Sequence, residues 1–134
     1  KSIDGGVQWI EIRKQLQEFQ YARTPKFLVL DPTTRERIYH ISKYGLLVSE
    51  DSGEVWRAVT LPTIPQETES ASFVVHPKDP KVLVYATKSA LVMSKDGGIS
   101  WASKKLPTTR GIAWMTYTNE EKPALLIGAL PVKK

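Results

Sequence analysis

Apolar side chains recur at every second position through several short stretches of this chain, and turn-forming residues separate them. Residues 27–30, an apolar run, end at Asp31-Pro32, a turn signal. Residues 37–41 alternate as a second strand, and Ser42-Lys43-Tyr44-Gly45 reads as a tight turn. Residues 46–48 and 56–59 are predicted as a third and a fourth strand, stopped at Leu61-Pro62. The same order returns downstream, with strands expected at 73–75, 82–85, 91–93 and 101–103. Two more follow at 112–117 and 124–128, around a turn at 119–123. Upstream, residues 1–4 read as the tail of a strand and residues 9–13 as a further strand. The Gln-rich segment 14–23 admits a short helix, because Ile12, Leu16 and Phe19 stand at helical spacing.

The second group of strands is the first shifted by 45 residues without a gap. Val29 corresponds to Val74, Pro32 to Pro77, Lys43 to Lys88, Leu46 to Leu91 and Leu61-Pro62-Thr63 to Leu106-Pro107-Thr108. The strongest element of the repeat is the frame S-x-D-x-G-x-x-W. It occurs at Ser2, Asp4, Gly6 and Trp9, at Ser49, Asp51, Gly53 and Trp56, and at Ser94, Asp96, Gly98 and Trp101. The residue types suit a hairpin corner. An Asp in a short loop accepts hydrogen bonds from backbone N–H groups just downstream. The Gly supplies a backbone angle that other residues resist. The Trp opens the next strand with a large apolar face.

This frame resembles the Asp-box, or BNR, repeat of β-propellers, a group that includes sialidases, xyloglucan-cleaving glycosidases, sortilin-type receptors and photosystem II assembly factors. The resemblance implies an all-β fold of four-stranded antiparallel blades, with the box joining a blade's third and fourth strands. A 45-residue period of four strands agrees with one blade per repeat. The chain then divides into the end of a blade (1–16), two blades (26–61 and 72–106) and the first half of another (111–134), a single partial propeller domain. Propellers commonly close with four to eight blades. The remaining blades are therefore expected in a longer parent chain or, as the lesser alternative, in further copies of this one.

Composition adds little to that picture. The 134 residues carry a formal net charge of +5, which favours anionic partners, and no cysteine, which removes disulfides and thiolate metal sites. No apolar run approaches a membrane span in length. Basic and acidic residues are interspersed with no recognisable stacking module, so nucleic acid is not favoured. The redox compartment is unreadable, and the resemblance alone leans toward an extracellular or lumenal location.

Function is expected on the loops rather than in the boxes. In propellers of this kind, ligands commonly meet the loops between second and third strands and between successive blades, opposite the boxes. Asp4, Asp51 and Asp96 then read as structural, and Trp9, Trp56 and Trp101 as wedges between blades. The ligand-face candidates are Lys43 and Tyr44, Lys88 and Ser89, Glu67 and Glu69, Arg23 and Arg110. Lys43 and Lys88 occupy equivalent turns and present cations suited to an anionic peptide or glycan. His40 and His76 lack metal-ligand spacing, and no metal, cofactor or catalytic signature is found. The expected role is a non-catalytic recognition or assembly scaffold for a polypeptide or glycan. The alternative is a fragment of an Asp-box glycoside hydrolase. It would need a carboxylate pair, for which Glu67 and Glu69 are the weak candidates.

Overall fold

The computed structural model describes residues 1–64 and 72–131. Its strands fall into three sheets. Strands β1 (Phe27–Leu30), β2 (Ile38–Ser42), β3 (Gly45–Ser49) and β4 (Arg57–Val59) form one antiparallel sheet in chain order. Strands β5 (Phe73–His76), β6 (Asp79–Ala86), β7 (Ala90–Ser94) and β8 (Ala102–Lys105) form a second, of the same order. Strands β9 (Ile112–Tyr117) and β10 (Leu125–Ala129) pair as a hairpin. The two four-stranded meanders are propeller blades. Among the described residues no helix is long and apolar enough to cross a membrane.

The period-2 pattern works on both faces of the two four-stranded sheets, because each of these is covered twice. In β2 and β3 the register sets Tyr39 opposite Val48 and Ile41 opposite Leu46, and Leu46 in turn lies opposite Val59. These residues point one way and meet Phe73, Val75, Leu83, Tyr85 and Val92 of the second sheet in a shared core. The alternate residues point the other way. Leu47 and Trp56 pack on Leu16 and Ala22 of the N-terminal segment. On the far side of the second sheet, Val84 and Ala86 pack on Met115 of the hairpin. Each buried Val, Leu or Ile contributes about 1.5–3 kcal/mol by leaving water. Sheet stacking, more than any local motif, therefore orders these elements.

The N-terminal region departs from expectation. Residues 9–13 form no strand. The first box closes instead through two backbone bonds: the Lys1 amine donates to the Ile10 carbonyl at 2.6 Å, and the Ile10 N–H donates to the Lys1 carbonyl at 2.7 Å. A strand needs a ladder of neighbours, and one bonded pair is not a ladder. Helical spacing was the better guide for the next segment. It makes only a single 3₁₀ turn, Arg13–Leu16, followed by further turns, but Ile12, Leu16 and Phe19 do share one buried face.

Candidate functional site

The two ends of each blade differ in chemistry, and antiparallel pairing separates them. The boxes join β3 to β4 and β7 to β8 at one end. The β2–β3 and β6–β7 turns lie at the other.

At the box end, the three corners are nearly superimposable in their bonding. Each Ser hydroxyl donates to the Asp Oδ1, at 2.8, 2.7 and 2.8 Å for Ser2, Ser49 and Ser94. The same hydroxyl accepts the N–H of Gly6, Gly53 or Gly98 at 2.8 Å in every case. Each Asp Oδ1 then accepts two backbone N–H groups: Val7 and Gln8, Glu54 and Val55, Ile99 and Ser100, at 2.9–3.1 Å. The indole N–H of each Trp donates back to the box Gly carbonyl, at 3.0, 3.1 and 3.2 Å.

Donors aimed at a carboxylate favour its charged form. Asp4 is held below the ordinary carboxylate value first by the Gln8 N–H, and Asp51 first by the Val55 N–H. Asp96 falls to about 2, chiefly because the Ser100 hydroxyl adds a further bond. Carboxylates so depressed are poor proton acceptors near neutral pH. Among the described residues, no three His, Asp or Glu side chains converge to hold a metal ion.

The backbone explains the spacing. The two residues after each Asp lie in the left-handed region, as Gly5-Gly6, Ser52-Gly53 and Gly97-Gly98. Gly98 has a second constraint. A Cβ there would stand 2.8 Å from Val59 Cγ1, so the box is seated against the neighbouring blade. Trp101 makes the same crossing, its indole N–H also donating to the Thr60 carbonyl at 3.1 Å.

The expected wedge role of the tryptophans divides. Trp56 is only 4% exposed, and Trp101 is half-buried against the inter-sheet core. Trp9 is 75% exposed, and among the described residues no sheet stacks over the first box. A tryptophan wedges only where a second layer meets it, as at Trp56 and Trp101.

At the opposite end, the two equivalent turns are built alike. The Ser42 hydroxyl accepts the Tyr44 N–H at 3.2 Å, and the Thr87 hydroxyl accepts the Ser89 N–H at 3.3 Å. Lys43 and Lys88 are thereby thrust outward and exposed, as is Ser89. Tyr44 turns aside and packs edge-on against Phe19, ring centres 5.2 Å apart. Arg110 is exposed beyond the second blade, its N–H donating to the Thr108 hydroxyl at 3.1 Å. Glu67 and Glu69 lie outside the described residues.

Two features escaped the sequence reading. The first is a cleft of about 870 Å³ beside Lys43, walled by the turns of residues 17–26 and including Arg23. Its only advance signal was the Gln-rich composition of that stretch, which names no site. The second is an ion-pair chain at the box end. Arg37 meets Asp31 at 3.1 Å and Glu50 at 2.6 Å, and Glu50 also meets Arg57 at 3.3 Å. The Ile38–Ser49 pairing places Arg37 and Glu50 one step beyond the ladder as cross-strand neighbours, so register predicts this contact once known.

Both histidines make packing or turn contacts. His40 is fully buried edge-on to Trp56, and burial pushes its pKa down, keeping it neutral. His76 Nδ1 accepts the Lys78 N–H at 3.2 Å. It occupies the position where, one repeat earlier, Asp31 accepts the Thr33 N–H at 2.8 Å.

Comparison with known proteins agrees with this architecture. A model of the Sortilin-Vps10 family, described as sortilin, neurotensin receptor 3, matches residues 1–129. No curated protein matches the chain. Among solved structures, a GH74 enzyme of Niastella koreensis superposes with a TM-score of 0.61 at 17% identity, covering 90% of this chain and 22% of its own. An ancestral GH74 enzyme superposes with a TM-score of 0.50 at 16% identity, covering 72% of this chain and 15% of its own. The chain thus spans under a quarter of the length of either structure, and at these identities the likeness is one of fold.

Proposed function

The chain belongs to the Sortilin-Vps10 family, and from that premise we propose that it serves as a non-catalytic recognition or assembly scaffold, meeting a polypeptide or glycan with its loops. The observation that carries this reading is the chemical contrast between blade ends. The box carboxylates are saturated by donors of their own turns. The opposite end offers outward cations on twin turns, Lys43 and Lys88, beside a cleft large enough for several side chains. Remaining blades, in a longer parent chain, would extend that loop surface. Division into a blade end, two blades and a half-blade is part of the same proposal.

Peptide and glycan arrays probed with the protein and its K43E/K88E variant test the reading. Binding that the double charge reversal weakens supports it. Incubation with xyloglucan and a reducing-end assay tests the alternative, a fragment of an Asp-box glycoside hydrolase. Release of reducing ends by the protein would replace the scaffold with an enzyme.

A further inference from the structure

Resting on the scaffold reading, we propose that the end of the second blade opposite its box is a docking surface for a sulfated glycan chain. Three observations meet there. The first is the distribution of charge along the chain. Residues 80–119 hold six cations, Lys81, Lys88, Lys95, Lys104, Lys105 and Arg110, against one carboxylate, Asp96. That excess equals the net charge of the whole chain, +5. Asp96 stands at the box end, where it accepts the Ile99 and Ser100 N–H groups of its own turn.

The second is placement. Pairing sets Lys105 opposite Ala90 and Lys104 opposite Leu91, so the end of β8 lies beside the Lys88 turn. The Thr87 hydroxyl fixes that turn by accepting the N–H groups of Ser89 and Ala90. Strand spacing and rise put the Lys88 and Lys105 Cα atoms about 10 Å apart. Arg110 follows in the connection from β8 to β9. All four of these residues are exposed, and among the described residues none of them forms an ion pair. The first blade shows the contrast, since Arg37 and Arg57 are both held by Glu50. Like charges gathered without counter-charges repel, and a polyanion relieves that repulsion.

The third is what stands between the cations. Ser89, Ser103, Pro107 and Thr109 are exposed there, and Leu106 is buried. Cations interleaved with hydroxyls suit the oxygens of sulfate groups. A peptide anchored by apolar side chains would meet only Pro107, and residues 88–90 and 102–110 contain no aromatic ring on which a base could stack. Lysines on an edge strand also deter strand pairing, but Lys88 and Arg110 lie off the strand and extend the same patch.

The probe is a fluorescein-labelled heparin octasaccharide, followed by anisotropy at low and at physiological salt. Two double variants of the intact protein lose equal charge in different places. K88Q/K105Q removes it opposite the box, and K81Q/K95Q removes it at the box end of the same blade. All four positions are exposed, so both variants should melt with the parent. The parent is expected to bind, more weakly as salt rises. K88Q/K105Q should cost about tenfold in affinity and K81Q/K95Q about twofold or less.

Equal losses in the two variants would reduce the effect to net charge and overturn the site. Absence of binding, or binding indifferent to K88Q/K105Q, overturns it as well. Tighter binding of an oligoglutamate peptide or of an oligothymidylate overturns the ligand class and leaves the scaffold reading standing. Release of reducing ends from xyloglucan would overturn the scaffold reading itself, independently of the anisotropy result.

Discussion

The first Asp-box and the second have the same sequence frame and the same internal bonds, yet they live in different surroundings. Trp9 is 75% exposed and Trp56 is 4% exposed, while their indole bonds to the box glycine measure 3.0 and 3.1 Å. The box is therefore a local unit. It closes because a Ser, an Asp and two left-handed residues satisfy one another within eight positions. Burial of its tryptophan is a separate event, decided by whether another layer arrives. At the second box that layer is the N-terminal segment, through Leu16 and Ala22.

The largest test of this separation is the pair Trp56→Ala and Trp9→Ala. Removing the buried ring is expected to cost about 3–5 kcal/mol, and removing the exposed one less than about 0.5 kcal/mol. Denaturant unfolding of both variants measures the gap; equal losses would mean the box itself, not its covering, sets stability.

Gly98→Ala and Gly6→Ala make the next contrast. Both sites have φ near 93°. A Cβ at Gly98 strikes Val59, whereas at Gly6 it reaches only ordinary contact with Trp9. We expect about 2–4 kcal/mol lost at Gly98, strain and overpacking together, against about 1–2 kcal/mol at Gly6 from strain alone. Thermal melts that fail to rank the two in this order would remove the seating argument.

A smaller effect comes from the residue before the box glycine. Ser52 holds φ of 60° where the other boxes place Gly5 and Gly97. Ser52→Gly should stabilise by about 0.5–1 kcal/mol and Gly97→Ser should lose a similar amount, since open space surrounds Gly97. Opposite signs in the two melting shifts are the readout.

The smallest contrast is in acid. Asp96 has a folded pKa near 2 against an ordinary 3.8, so it favours the folded state above about 3.8 and that contribution fades as pH falls toward 2. Asp96→Asn should therefore lower the melting temperature near neutrality and converge on the parent by about pH 2. Asp4 carries no equivalent of the Ser100 hydroxyl bond, so Asp4→Asn should shift the acid limb less.

Much of the fold was legible before any coordinates. Apolar runs and alternation located every strand from β1 to β10 within a few residues, and the two four-stranded sheets, covered on both faces, carry apolar side chains in both registers. It failed at residues 9–13, where Trp9, Ile10 and Ile12 carry a strand's pattern and lack a strand's neighbours. The candidate site was legible only in part. Lys43 and Lys88 were readable as twin turn residues from the 45-residue offset. The cleft beside Lys43 was not, since Tyr21, Arg23 and Lys26 carry no pattern that announces which strand they will face.

The sequence by itself determined the box: its hydrogen bonds join residues at most four apart, its glycines meet a local angular need, and its indole bond spans three. Tertiary structure alone decided which tryptophan is buried, why a Cβ at Gly98 would crowd Val59, and which cations line the cleft with Tyr21. Those outcomes depend on chain segments 20 or more residues apart coming together: Trp101 bonds to Thr60, and Lys43 lines one cleft with Arg23. Their physical origin is the removal of apolar faces from water when one sheet or segment settles on the next, and no eight-residue frame contains it.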